Sequence, residues 1–177
     1  MESESVSMTK ASKSLDTEQT WLTVQGVPDD RLDEVLVLGC GDWPVKGADN
    51  HDRFIYHDHV NLAWDLNEIP WPVPEESYHW IVAMDVLEHL NSFLDFFNEA
   101  WRVLDKGGRA MIQTVSWRHE NAWRDPTHVR PYHVDSFRYL DPDTFWGKTF
   151  SMYTDKKWKV LTVQDTGNIW VELEKRE

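Results

Sequence analysis

Residues 34–52, EVLVLGCGDWPVKGADNHD, decide the fold of this chain. The apolar run over residues 34–40 predicts a central strand of a parallel sheet, because both faces of such a strand are buried. The run ends in Gly39-Cys40-Gly41, which predicts a turn. Only a few residues separate this turn from a second short stretch that ends at Asp52. The crossover helix of an ordinary nucleotide-binding α/β unit therefore has no room here.

Strand and helix patterns alternate along the rest of the chain. Phe93, Phe97 and Ala100 recur at helical spacing, and Gly107-Gly108 predicts the end of that helix. The strand patterns lie at residues 34–40, 59–67, 78–84 and 109–116, followed by a terminal hairpin at residues 158–165 and 168–175. These elements predict an α/β fold with a Rossmann-like, mostly parallel sheet and a C-terminal antiparallel hairpin. One or two of the usual helices should be missing.

The composition sets bounds on the fold and its partners. The length of 177 residues and the hydrophobic content of 41% suit one globular domain. The formal net charge of −13 disfavours nucleic acid as a partner. Cys40 is the only cysteine, so an internal disulfide is excluded and a reducing, cytoplasmic location is expected. We expect no membrane span and no signal peptide. Residues 1–20 predict a disordered tail, and residues 21–177 a single domain.

Acidic residues follow several of the predicted strands. Asp52, Asp65 and Asp85 lie where open parallel sheets bind ligands, beyond the carboxyl ends of the strands. One such aspartate is ordinary turn chemistry, but several at successive strand ends exceed what turns need. A dinucleotide would require a glycine turn that leads into a helix, and Asp42 would lie beside its phosphates. The pattern favours a ligand with an adenine, ribose hydroxyls and a cationic centre, such as S-adenosylmethionine.

Four motifs carry a family resemblance when they are taken in order: VLVLGCGD, DLNEIPWP, DVLEH and RVLDKGG. The sequence resembles the class I S-adenosylmethionine-dependent methyltransferases over residues 34–115. The resemblance implies S-adenosylmethionine as the cofactor and methyl transfer as the activity. The cofactor-binding residues that it implies are Gly39, Cys40, Gly41, Asp52, Asp65, Leu66, Asp85 and Val86.

The resemblance also implies a role for each strand end. The glycine turn would approach the methionine part of the cofactor, and Asp52, or Asp49 in its place, would hold the ribose hydroxyls. Asp65 would face the adenine, and Asp85 would border the transferred methyl group. His89 would support the wall beside that methyl group, with an exposed or capping position as the alternative.

The chain departs from the family pattern in two ways. The third glycine of the first motif is missing, and the first crossover helix, together with the second, is expected to be absent. One face of the sheet would then be poorly covered, which favours association. Five aromatic residues are expected to supply part of the cover: Trp43, Phe54, Tyr56, Trp64 and Trp71. A homodimer through the same face is the other solution.

Residues 116–137, SWRHENAWRDPTHVRPYHVDSF, follow the fourth predicted strand and should lie over the reactive end of the cofactor. Three interpretations are open. The first is an acceptor pocket in which a histidine or aspartate takes a proton. The second is a metal site, and the third is a structural segment whose histidines satisfy backbone groups. The metal site would use His119, Asp125, His128 and His133, but this spacing matches no tight metal motif. We therefore assign His119, His128 and Asp125 as catalytic residues and expect no metal ligands.

The leading hypothesis is an S-adenosylmethionine-dependent methyltransferase that acts on a small-molecule acceptor. The alternative is a catalytically degenerate methyltransferase fold that binds a partner. A nicotinamide-dependent oxidoreductase and a metal-dependent hydrolase are weaker hypotheses, because the first lacks its phosphate-binding helix and the second lacks a recognisable ligand motif.

Overall fold

The computed structural model describes residues 27–177. The predicted tail at residues 1–20 lies outside the described residues, so its disorder stays a prediction. Within the described part, no helix is both long enough and apolar enough to cross a membrane.

Seven strands form one mixed sheet in the order β3-β2-β1-β4-β5-β7-β6. The strands are β1 (Val35–Leu38), β2 (Asp49–Asp52), β3 (Leu62–Ala63), β4 (Tyr78–Met84), β5 (Leu104–Val115), β6 (Trp158–Asp165) and β7 (Asn168–Lys175). Strands β1 to β5 run parallel, whereas β7 is antiparallel to β5 and pairs with β6 as a hairpin. The predicted fold class is confirmed, and the carboxyl ends of the five parallel strands meet at one edge.

Four α-helices occur in the described residues. They are α1 (Phe93–Val103), α2 (Asn121–Arg124), α3 (Val134–Arg138) and α4 (Phe145–Thr149). Ser92 caps α1 by accepting a hydrogen bond from the amide of Asp95 at 3.2 Å, as its side chain predicts. Helix α1 buries Phe96 and Phe97 against one face of the sheet.

Two predicted boundaries are wrong. The α1 helix ends at Val103, and β5 begins directly at Leu104 rather than after the glycine pair. Gly107 lies inside β5 with φ of +73°, where the register with β4 shifts. The glycine pair therefore forms an irregularity within a strand rather than a helix stop. The strand predicted at residues 59–67 is also much shorter, because only Leu62–Ala63 pair with β2.

The crossovers that precede β4 contain no α-helix among the described residues, so the predicted loss of helices extends to all three connections between β1 and β4. Asn50 replaces the first missing helix as an organiser of the β1–β2 connection. Its side-chain oxygen accepts from the Val45 amide at 2.8 Å, and its amide donates to the carbonyls of Val45 and Ala48. A buried side chain thus satisfies the loop backbone that a helix would otherwise satisfy internally.

Trp71 supplies much of the missing cover. It is 2% exposed and packs edge-on to Phe96 of α1. Its amide donates to the Glu99 carboxylate at 2.7 Å, and its indole donates to the Leu66 carbonyl at 3.1 Å. The other face of the sheet is covered by short segments that contribute Val27, Val45 and Val60.

The expected aromatic cover is only partly present. Trp64 packs partly buried against the same cluster as Trp71, but Trp43, Phe54 and Tyr56 are exposed. These three follow β1 and β2 in loops that turn toward solvent rather than back over the sheet. The prediction was wrong for them, because aromatic character alone does not fix the direction in which a loop side chain points. The homodimer stays a prediction.

Replacing Trp71 by alanine should destabilise the protein by about 3–5 kcal/mol, because the change leaves a large cavity beneath the connection to β4. Phe54→Ala is the matched control, since Phe54 is 64% exposed, and its change should stay within about 0.5 kcal/mol. Urea denaturation measures both free energies of unfolding. Equal losses in the two variants would contradict the assigned packing.

Candidate functional site

Two adjoining cavities lie at the carboxyl edge of the parallel strands. The smaller has a volume of about 270 Å³ and the larger about 500 Å³. Six of the eight predicted cofactor-binding residues line the smaller cavity: Gly39, Asp52, Asp65, Leu66, Asp85 and Val86. Asp85 and His89 line both cavities, so the two spaces share a wall.

Gly39 is the point where β1 turns under the smaller cavity. Its φ is +64°, and a Cβ atom built there would lie 2.5 Å from Cγ2 of Val86. Any other residue would be strained by its backbone and would also clash with Val86. The first glycine of the turn is therefore required both by its conformation and by the close approach of Val86.

His51 connects three of the strand ends. Its side chain is almost completely buried, with 1% exposed. Nδ1 accepts from the Gly39 amide at 3.5 Å, and Nε2 lies 3.0 Å from the Trp64 carbonyl. Because a carbonyl can only accept, the ring proton belongs on Nε2. Burial lowers the pKa of His51 to about 4, so this neutral tautomer persists at neutral pH.

Asp52 lies at the end of β2 and anchors the glycine turn. Its carboxylate accepts from the Gly41 amide at 2.9 Å and from the Tyr56 hydroxyl at 3.0 Å. Asp49, the alternative ribose ligand, lies at the other end of β2 and accepts hydrogen bonds from Asn61 and Tyr78. Asp49 is therefore not part of the smaller cavity.

Asp65 follows β3 on the opposite wall of the smaller cavity. One carboxylate oxygen accepts from the backbone and side-chain amides of Asn67, at 2.9 and 3.1 Å. The other forms an ion pair with Arg53 at 2.8 Å. The hydrogen bonds from Asn67 and the charge of Arg53 hold the pKa of Asp65 below its usual range, so this carboxylate is ionised.

Cys40 and Gly41 do not line the smaller cavity, unlike the other predicted cofactor residues. The Cys40 side chain is buried in the apolar cluster on the other face of the sheet. Gly41 instead acts through its amide, which it donates to Asp52.

Asp85 ends β4 with φ of +54°, a conformation that non-glycine residues adopt infrequently. Gln113 of β5 secures it, because the Gln113 side chain donates to the Asp85 carboxylate at 2.7 Å and its carbonyl accepts from the Asp85 amide at 3.0 Å. The carboxylate is thereby held at the wall that the two cavities share.

The larger cavity contains two of the three predicted catalytic residues. His128 and Asp125 line it, but His119 lines neither of the two cavities. The Nδ1 atom of His119 accepts from the Asn121 amide at 3.1 Å. This histidine therefore satisfies a backbone group, as the structural interpretation of residues 116–137 expects. The proposed grouping of His119 with His128 is thus not observed.

Asp125 is held in a turn. Its Oδ1 atom accepts from the amide and the hydroxyl of Thr127, at 2.8 and 2.6 Å. These bonds lower the pKa of Asp125, which makes it a weaker proton acceptor. The Thr127 hydroxyl also lies 3.0 Å from Nδ1 of His89.

His133 does not join a metal cluster with His119, Asp125 and His128. Its Nδ1 atom accepts from the Asp135 amide at 3.1 Å and so caps α3. The four-residue metal site considered from the sequence is therefore not assembled.

Glu88 lies behind the shared wall and was not singled out by the sequence. It is 1% exposed, and Thr114 of β5 donates to its carboxylate at 2.8 Å. Burial raises the pKa of Glu88. The segment after β5 packs over it, because the Val129 amide donates to the Glu88 carbonyl at 2.7 Å and the Tyr132 hydroxyl donates to the Leu87 carbonyl at 3.2 Å.

Comparison with known proteins agrees with this geometry. Residues 49–112 match the family described as the methyltransferase domain. The sheet order 3-2-1-4-5-7-6 and the glycine turn under an acidic cavity lie in and around this segment. Over these residues the chain is similar to the methyltransferase-domain family, and its fold is the one seen in S-adenosylmethionine-dependent methyltransferases.

Solved structures resemble this chain over most of its length. The YcgJ protein of Bacillus subtilis is 15% identical with a TM-score of 0.58, covering 93% of this chain and 100% of its own. A SAM-dependent methyltransferase of Aquifex aeolicus is 15% identical with a TM-score of 0.58, covering 89% of each chain. At such identities these structures show the fold alone. A search of curated proteins gave no match.

A third solved structure contains a methyltransferase from Haloferax volcanii in complex with the Trm112 methyltransferase activator. It is 14% identical to this chain with a TM-score of 0.60, and the match covers 90% of this chain and 92% of that one. The fold extends well beyond residues 49–112, so the terminal hairpin belongs to the same architecture.

Several residues that line the smaller cavity were missed in the sequence analysis. His51, Arg53, Trp64 and Asn67 line it, together with Leu90. The signal for His51 was its position directly before Asp52 at the predicted strand end. His51 was nevertheless not recognised as buried, because the strand sequence DNHD shows no alternation of apolar and polar residues.

The stability of the protein should fall as the pH decreases from about 6.5 to about 4, partly through His51. The unfolded chain takes up a proton on this histidine in that range while the folded state does not, so the unfolded state gains about 3 kcal/mol. His51→Gln removes the titrating group. Urea denaturation across this range should give a shallower fall in the variant, and identical slopes would contradict a neutral buried His51.

Proposed function

We propose that this protein is a methyltransferase that binds S-adenosylmethionine in the smaller cavity and methylates a small polar acceptor in the larger cavity. The observation that carries this proposal is the shared wall, because Asp85 and His89 face both spaces. A cofactor whose methionine end rests against Asp85 would present its methyl group toward the larger cavity. A soluble small molecule then has a direct route to the reactive carbon.

The smaller cavity suits the adenosyl part of the cofactor by its charge. Asp52 and Asp65 accept hydrogen bonds, as ribose hydroxyls and an adenine amino group require. Gly39 permits close approach of the methionine part, and Asp85 lies where it can attract the ammonium and sulfonium charges. Arg53, which pairs with Asp65, is largely exposed and so can move aside at modest energetic expense.

The larger cavity suits a small acceptor by its size and lining. Its volume of about 500 Å³ lies within the range of small-molecule sites. Its lining is mostly polar or charged and includes Glu88, Asn121, Arg124 and Asn168. The net charge of −13 argues against a nucleic-acid acceptor, because phosphate contacts depend on lysine and arginine.

The reaction itself requires alignment more than proton transfer. Holding the nucleophile in line with the sulfonium methyl group supplies roughly 7–11 kcal/mol through proximity. Among the three residues assigned as catalytic from the sequence, His128 is the one we retain beside the acceptor. Asp125 positions the turn that carries it, since both of its bonds to Thr127 organise that turn.

Asp65→Asn and Asp85→Asn should each weaken S-adenosylhomocysteine binding by about 1–3 kcal/mol, because each removes a charge and an acceptor that the ligand uses. Asp155→Asn is the matched control, since it removes the same charge at a side chain that is 85% exposed and outside both cavities. Isothermal titration calorimetry measures all three. Unchanged affinity in both cavity variants would place the cofactor elsewhere, and no binding to the parent protein at millimolar ligand would defeat the proposed function.

A further inference from the structure

Three potential metal ligands converge at the boundary between the two cavities. One ligand atom from each of Glu88, His89 and His128 lies within 4.8 Å of the other two. The rings of His89 and His128 meet edge to face with centroids 4.8 Å apart. All three residues also line the larger cavity. The cluster therefore faces the space in which an acceptor would bind.

The backbone holds this cluster together across a separation of about forty positions in the chain. Glu88 and His89 lie in the turn that follows β4, and His128 lies in the segment that follows β5. Hydrogen bonds join the two segments on both sides of His128. Thr127 contacts His89, and the Val129 amide donates to the Glu88 carbonyl at 2.7 Å. The approach of His128 to His89 is thus built into the fold.

The hydrogen bonds also fix which nitrogen of each histidine is available. The Thr127 hydroxyl donates to Asp125 at 2.6 Å, so it accepts from Nδ1–H of His89 at 3.0 Å. The Nδ1 atom of His128 lies 3.4 Å from the Ala122 carbonyl, which can only accept. In both neutral rings the lone pair therefore lies on Nε2. Metal-binding histidines are commonly oriented in this way by a bond from the other nitrogen.

Glu88 is a buried carboxylate that lacks a cationic partner. Among residues 27–177, no lysine or arginine forms an ion pair with it, and Arg124 in the same cavity pairs with Glu120 instead. The bond from Thr114 satisfies one of its oxygens. Burying an ionised carboxylate is unfavourable unless a counter-charge compensates for the lost hydration. A bound cation would supply that charge.

We propose that Glu88, His89 and His128 bind one divalent transition-metal ion of the Zn²⁺ type, and that this ion coordinates a hydroxyl oxygen of the acceptor. Two imidazoles and one carboxylate suit such ions. Mg²⁺ and Ca²⁺ fit less well, because they prefer oxygen ligands. The assignment of the acceptor rests on the proposed function, whereas the metal site itself does not.

The cluster has room for the ion with a small adjustment. Bonds of about 2.1 Å in a tetrahedral site would place the ligand atoms roughly 3.4 Å apart, which is shorter than the 4.8 Å within which they now lie. Side-chain rotation of the two partly buried histidines closes that difference. Three protein ligands leave a fourth position open toward the larger cavity, as catalytic metal sites do.

The ion would prepare the acceptor for methyl transfer. Coordination lowers the pKa of a bound hydroxyl group, so its proton leaves to solvent at neutral pH. The oxygen then bonds to the methyl carbon, the carbon–sulfur bond breaks, and the electron pair of that bond stays on sulfur. The products are a methyl ether and S-adenosylhomocysteine. No oxidant, reductant or further reactant is needed.

Titration of the metal-free protein with CoCl₂ tests the site without an acceptor. Visible absorption and calorimetry should show one Co²⁺ per chain, and ZnCl₂ should displace it. His89→Asn, His128→Asn and Glu88→Gln should each weaken Co²⁺ binding at least tenfold. His133→Asn is the matched control and should bind as the parent does, because asparagine can cap α3 in place of histidine. Thermal melting in EDTA verifies that each variant is folded.

Two results would overturn the proposal: no saturable binding of Co²⁺ or Zn²⁺ by the parent protein, or equal binding by the parent and all four variants. If Glu88→Gln does not fold, the two histidine variants still decide the matter, since both side chains are partly exposed. S-adenosylhomocysteine titrations in EDTA separate this proposal from the proposed function. Cofactor binding without metal binding would remove the metal site alone, and metal binding without cofactor binding would remove the proposed function alone.

Discussion

The two hydrogen bonds of His51 are the constraint on which the candidate cofactor site depends. One ring nitrogen accepts from the backbone after β1, and the other donates to the backbone after β3. A neutral imidazole can perform both tasks at once, and burial keeps it neutral. The ends of three strands are therefore fixed relative to one another without any helix between them. This arrangement also determines where the acidic side chains at these strand ends lie.

Much of the fold could be predicted because apolar runs mark buried strands whatever covers them. The runs at β1, β4 and β5, and the terminal hairpin, were all recognisable. The polar strand β2 was harder, since Asn50 and His51 are buried for hydrogen bonding rather than for hydrophobicity. The helix boundary at Val103 was missed because glycine is compatible with an irregular strand as well as with a helix end.

Those residues of the candidate site that are positioned by the main chain could be predicted from the sequence. Residues whose role depends on the direction of the side chain were harder to predict. Asp65 and Asp85 line the smaller cavity because they lie just after β3 and β4, at the carboxyl edge of the sheet. Cys40 points to the opposite face, and His119 is taken up by a local turn. Glu88 could not be singled out from the sequence, because its significance lies in contacts with Thr114 and Val129, which are remote along the chain.

The brevity of β3 has a consequence for how this protein meets its neighbours. Strand β3 is one outer strand of the sheet, and its two residues present very little unpaired backbone. The opposite outer strand, β6, carries Lys159, whose side chain is half exposed. Short outer strands and lysines both discourage another chain from extending the sheet. The loss of covering helices is thus accompanied by protection against amyloid-like strand addition at both borders.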